Sequence, residues 1–339
     1  MTISNKGTLN YDPAINYNLM EPLEILSSYT DSEGKTLAIG TTYGYVVYAI
    51  DGTKPNKIRY KKTFGKGIGV ITTYKSTNLV AYTGGGRDPY TRPGELEIYD
   101  DMKQTVVLRK TFKSSINNIV LEEKTLIVVL QNETHFYNIS SGQETIIPTC
   151  DNPEGLVIYS EKYGIVVTLS DIIGCINIYR LNSVSGQLIP IMDKMKCFKE
   201  AISTLNLLSS TENNFIVAFC CKSQKFAFVD LELKQLIMKM PHEGNKLRRQ
   251  PILLMFQNVF IIVGEDQITL HDIQKQKKSK MYSIKFEKMS ITAAWISLTL
   301  AYPTLFVVDS LGYVRHVEIS FNENSPKTLQ ISDCVNILH

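Results

Sequence analysis

Seven segments of this chain share one form, at intervals of roughly 40 to 50 residues: an apolar strand, a short polar turn, and an alternating strand ending in a polar residue. They are "TLAIGTTYGYVVYAID" from Thr36, "LVAYTGGG…GELEIYDD" from Leu79, "TLIVVLQNETHFYNIS" from Thr125, "IVVTLSDIIGCINIYRL" from Ile165, "FIVAFCCKSQKFAFVDL" from Phe215, "VFIIVGEDQITLHDI" from Val259 and "TLFVVDSLGYVRHVEI" from Thr304. A period of that length points to propeller blades, small sheets that stack radially and leave only short edges exposed.

The first strand of each pair is nearly continuous Val, Ile, Leu and Ala, the pattern of a strand packed on both faces, while its partner alternates. Weaker strands flank the pairs, such as "LEILSSYT" before the first and "KIRYKKTF" after it. The expectation is an all-β, seven-bladed propeller of four-stranded antiparallel blades. It is one domain over residues 1–339, with residues 1–20 a partly ordered N-terminal arm. A β-sandwich is the competing arrangement, disfavoured by the regular period; the absence of sustained 3.6-residue periodicity argues against an α/β enzyme.

Hydrophobic residues make up 44% of the 339, enough for a full core, and charged residues 20%. A net charge of +3 is too small for a nucleic-acid binder, whose affinity comes from a strongly basic face. The opening "MTISNKGTLNYDPAINYN" has no basic region followed by an apolar core, so a cytosolic protein is expected. The six cysteines, Cys150, Cys175, Cys197, Cys220, Cys221 and Cys334, contain no C-x-x-C pair and read as buried reduced thiols, with no metal or cofactor site. The uncharged run from Ile291 to Val308 is broken by Pro303 and reads as two strands joined by a turn, not a membrane span. No G-x-S-x-G or H-E-x-x-H occurs and the five histidines are scattered, so no enzyme is expected. His271 and His316 fall on outer alternating strands, where structural or exposed roles are expected.

The second pair is interrupted by "GGGRDPYTRPG". No Gly-Lys-Ser/Thr and no helix follow it, so the phosphate-loop mechanism is missing. It reads as a loop between strands, its glycines supplying backbone angles closed to other residues and its prolines stiffening it. Arg87, Asp88, Tyr90 and Arg92 are expected to be exposed, and a two-residue turn in its place should leave the fold intact. "FGKGIG" from Phe64 reads as glycine punctuation.

This insert, the "IYDD" after it, the run "LRKTFKSSINNIVLEEKTLIVVLQNETHFYNI", the segment "CDNPEGLVIYS" and the closing "LFVVDSLGYVRHVEIS" resemble the PROPPINs, phosphoinositide-binding WD-repeat propellers of autophagy. The short loops are similar to the compact WIPI/SVP-like members. The resemblance implies a non-enzymatic, monomeric adaptor that binds phosphatidylinositol 3-phosphate or the 3,5-bisphosphate and recruits autophagy proteins. It implies a cytoplasmic protein held peripherally on vacuolar, endosomal or pre-autophagosomal membranes.

Family members bind lipid through a Phe/Leu-Arg-Arg-Gly motif between blades five and six, where guanidinium groups meet phosphate oxygens bidentately. Here the equivalent stretch reads "MPHEG", Met240 to Gly244, and the motif is degenerate. A nearby "LRRQ" carries Arg248 and Arg249 several residues later. Either these two take over, with His242 and Lys246 beside them, or the match is a coincidence and the chain is a protein-interaction scaffold that has lost lipid binding. In blade six, "KQKKSK" places Lys275, Lys277, Lys278 and Lys280 where the family has a membrane-dipping loop. They read either as a contact with an anionic leaflet or as a solvated edge. The insert of blade two resembles the family's docking site for partner proteins.

Overall fold

A computed structural model of the chain describes residues 23–339 except 32–34, 52–53, 183–185, 212, 243–244, 248–249, 274–281, 286–290, 298–302, 323–324 and 337–339, and for 51, 54–56, 282, 297, 320–322 and 325–336 it describes the backbone alone. The described residues form 28 strands and no helix. The strands fall into seven sheets, each of four consecutive antiparallel strands in chain order, making a seven-bladed propeller. Blade one runs from Ile25–Thr30 to Lys54–Thr63 and blade seven from Ile291–Ser297 to Ser325–Asn336.

Every one of the seven repeat segments supplies the second and third strands of a blade, as in Leu79–Gly84 with Glu95–Asp100 and Val259–Val263 with Gln267–Asp272. The run Ile291 to Val308 likewise contributes two antiparallel strands, Ile291 pairing with Asp309. Second strands are apolar throughout because successive side chains serve opposite seams. Phe260 and Ile262 pack toward blade five, while Val259, Ile261 and Val263 pack toward blade seven. Seven apolar clusters of described residues result, one per seam.

The alternating strands are a correction to the sequence reading: they are buried, not outer. His271 is 2% exposed and His316 9%. Polar residues on these strands face a seam, where they need partners, instead of solvent. His135 is an instance, its ring nitrogens 2.6 Å from Glu144 Oε1 and 3.0 Å from Glu133 Oε1. The polar residue that ends the strand has its own task, since Asp230 Oδ1 accepts from the Glu232 and Leu233 amides at 2.8 Å and so closes the next turn. Asp100 and Asn138 do the same in blades two and three.

Blade seven meets blade one by packing. Trp295 stacks on Phe306 amid Ile25, Leu37 and Tyr48, and Ser28 donates to the Thr292 carbonyl at 2.6 Å. Similar stitches join the inner strands elsewhere, from Asn118 to the Gly155 carbonyl and from Asn206 to the Leu253 carbonyl, both 2.8 Å. Because strands alternate in direction, the turns between second and third strands share one face of the propeller with the linkers between blades. The insert of blade two and the blade five to six linker both lie on that face.

Candidate functional site

The insert between Gly84 and Glu95 is fastened to the linker from blade one. The Gly67 amide donates to the Asp88 carbonyl at 2.7 Å, and the Gly85 and Tyr90 amides donate back to the Gly67 carbonyl at 3.1 and 3.0 Å. The two glycine runs therefore lie against each other. A Cβ on Gly69 would stand 2.7 Å from Gly85 Cα, and one on Gly86 would stand 2.9 Å from Leu26 Cδ1. Of the four insert glycines only Gly86 has a positive φ, +76°, so close approach, more than backbone freedom, fixes the composition.

Arg87, Asp88, Tyr90 and Arg92 all lie on the surface. Two of them also have structural tasks that the sequence did not disclose. The Tyr90 ring stacks on Phe64 at 3.8 Å and 17°, capping an aromatic cluster with buried Tyr45 and Tyr82, and Asp88 pairs with Lys66 at 3.2 Å. The insert thus adds to the packing of blade two, for its Tyr90 covers Phe64 and Tyr82. Below the cluster the buried Glu97 accepts from Tyr82 Oη at 2.9 Å and from Arg109 Nε at 2.8 Å. Burial first, and Glu97 second, push the Tyr82 phenol far above its ordinary range.

At the junction of blades five and six, the fourth strand of blade five ends at Pro241. The His242 amide then donates to the Gln224 carbonyl at 2.8 Å, and Leu247 is buried in the seam, 4% exposed. His242 Nε2 lies 3.0 Å from the Asn245 carbonyl and 3.3 Å from Gln267 Nε2. Burial lowers the affinity of His242 for a proton, and burial followed by the nearby His242 pushes His271 down to about 4. Gln267, Thr269 and His271 alternate along one strand and share the face opposite to Ile268 and Leu270, which pack toward blade seven.

Among the described residues, Ser223 Oγ and His242 Nδ1 at the linker have no hydrogen-bond partner, nor do Thr269 Oγ1 and His271 Nε2 farther along the third strand of blade six. Lys246 is exposed. Arg248 and Arg249 lie outside the described residues, as do Lys275, Lys277, Lys278 and Lys280. The sequence reading picked out His242 and Lys246 but passed over Ser223, Gln224, Gln267 and Thr269. Ser223 and Gln224 belong to the polar turn "KSQK", Gln267 follows "ED", and only Thr269, between Ile268 and Leu270, stands out as a polar residue among apolar ones.

No protein-family model matches the chain. It is 34% identical over 148 residues to "SVP1-like protein 2" of Debaryomyces hansenii, covering 42% of this chain and 34% of that protein. It is 29% identical over 121 residues to "Autophagy-related protein 18" of Yarrowia lipolytica, covering 34% of this chain and 28% of that protein. The chain thus spans about a third of the length of these curated relatives. Among solved structures, Kluyveromyces lactis Hsv2 superimposes with a TM-score of 0.73 at 13% identity, covering 93% of this chain and 100% of that one. A complex of KlAtg21 with the coiled coil of AgAtg16 gives a TM-score of 0.67 at 12% identity, covering 92% of this chain and 99% of that one. At such identity the structural likeness speaks for the fold alone. The homologues are SVP1-like and Atg18 proteins, and the resemblance to PROPPINs read from the sequence holds.

Proposed function

From that kinship we propose that the chain is a PROPPIN-like effector, a non-enzymatic propeller that recognises phosphatidylinositol 3-phosphate or the 3,5-bisphosphate and recruits autophagy proteins to the membrane. Its place is peripheral, on vacuolar, endosomal or pre-autophagosomal membranes. The observation that carries the lipid half is the pair Ser223 Oγ and His242 Nδ1, buried where the linker leaves blade five and without a hydrogen-bond partner among the described residues. A hydroxyl or imidazole removed from water without a partner costs about 1–3 kcal/mol, and a phosphate with several acceptor oxygens would restore hydrogen bonds to such groups. Arg248 and Arg249 follow directly on the anchored Leu247 and supply the guanidinium groups that Pro241 and His242 do not.

The third strand of blade six ends at Asp272 and the fourth begins at Tyr282, both at the face opposite to the linker, and the lysines from Lys275 to Lys280 fall between them in sequence. A bilayer that touches both linker and lysines must meet the propeller edge-on. Arg87, Asp88, Tyr90 and Arg92, exposed on blade two, are then the surface offered to a protein partner. The test is flotation with vesicles that contain or lack phosphatidylinositol 3-phosphate. Enrichment on the lipid-containing vesicles is expected, with loss in Arg248→Ala/Arg249→Ala. Equal flotation on both vesicles refutes lipid recognition, and partner capture that survives it favours the scaffold reading, to which Pro241 and Glu243 at the motif's usual place lend support.

A further inference from the structure

We infer that Gln224 is the positioning residue of the blade five to six junction, a side-chain clamp that fixes where the arginine-bearing linker begins. The inference rests on the lipid reading for its consequence, though not for its geometry. Gln224 sits in the turn between second and third strands of blade five with φ +53°, a left-handed conformation that glutamine seldom adopts. From there its amide pairs with Leu247 as a second peptide group would: Nε2 donates to the Leu247 carbonyl at 2.9 Å, and Oε1 accepts from the Leu247 amide at 2.9 Å. Nε2 donates also to the Cys221 carbonyl at 2.6 Å, which ties the clamp to its own turn.

The backbone of Gln224 holds the other end of the linker, its carbonyl accepting from the His242 amide at 2.8 Å. One residue thus holds both His242 and Leu247, which four residues separate in the sequence. Cys221 Sγ adds a second donor to the Leu247 carbonyl at 3.2 Å. The displacement of the arginine pair from the end of the strand becomes intelligible. Leu247, buried and pinned through both backbone groups, is the residue that precedes Arg248 and Arg249 in the sequence, and its anchorage owes nothing to the strand's own ladder. Leu247 also fills the seam against Gly264, whose Cβ, if present, would stand 2.7 Å from Leu247 Cδ2.

Tryptic nicking after Lys246 tests the clamp directly, because that bond is cleaved only when Leu247 leaves the seam. Two full-length variants separate the contributions: Gln224→Leu keeps bulk without hydrogen bonds, and Gln224→Asn keeps the amide and a tolerance for positive φ but is too short to reach. Loss of the amide's hydrogen bonds raises the open population by about ten- to a hundredfold, so both variants should be nicked faster by that factor. Their affinity for vesicles containing phosphatidylinositol 3-phosphate should fall by at least about tenfold, with capture of blade-two partners unchanged. Nicking at the wild-type rate overturns the clamp. Faster nicking with unaltered vesicle binding overturns the positioning role. If the wild type itself ignores the lipid, the proposed function fails, and the nicking rate alone then decides the clamp.

Discussion

Replacing Gly69 by alanine tests whether the two glycine runs of blades one and two form one packed unit. The added Cβ would stand 2.7 Å from Gly85 Cα, 2.9 Å from the Gly84 carbonyl oxygen and 3.1 Å from the Gly85 nitrogen. Carbon atoms in ordinary contact keep about 3.5–4.0 Å, so the insert must retreat by roughly 1 Å. All three opposing atoms are backbone, and no side chain can rotate away. Such overpacking costs about 1–3 kcal/mol, from which about 0.4–1 kcal/mol is recovered because alanine restricts the unfolded chain. A net loss of about 1–2 kcal/mol is expected, read as a lower urea midpoint at unchanged slope. The insert should loosen with it, so tryptic cleavage at Arg87 should accelerate. Gly142→Ala provides the contrast, since its Cβ would meet nothing within 4 Å while its φ of +71° carries the backbone strain alone. Wild-type stability and cleavage in Gly69→Ala would refute the packing argument.

Acid should destabilise the protein through His271. Its folded pKa of about 4, set by burial, lies below the value near 6.5 of a free imidazole, so the folded state binds fewer protons. The stability is present above pH 6.5 and is lost as pH falls toward 4, by about 3 kcal/mol in full. Urea midpoints at pH 7 and 4.5 should differ less in His271→Asn than in the wild type; identical acid sensitivity would sink the assignment. Tyr90→Ala uncovers Phe64 and should cost about 1–3 kcal/mol, whereas Arg92→Glu should stay within about 0.5 kcal/mol yet abolish partner capture by blade two. Changing Lys275, Lys277, Lys278 and Lys280 to Gln should weaken binding to anionic vesicles and flatten its salt dependence, with the fold intact. Unchanged binding at low salt would make the lysines a solvated edge.

The fold was legible because a propeller is periodic in sequence. Burial of the second strand between two seams demands apolar residues at every position, and that demand recurs from Thr36 to Thr304. Kinship was legible for a similar reason, since the glycine-rich insert and the segment opening blade four are contiguous stretches. What the sequence could not disclose depends on approach between residues far apart along the chain. "FGKGIG" reads as glycine punctuation and "GGG" as part of a loop, and only their contact reveals that Gly67 and Gly69 are small on account of Gly84 and Gly85, and Gly85 on account of Gly69. Tyr90 reads as a free surface side chain until Phe64 lies beneath it. The alternating strands read as half-exposed because period two ordinarily means one wet face, while a blade has neighbours on both sides. At the junction of blades five and six, Gln224 and Leu247 are 23 residues apart and carry no motif. Their pairing is a backbone-like hydrogen-bond match that arises only when the turn of one blade closes on the linker to the next, and tertiary structure alone brings them together.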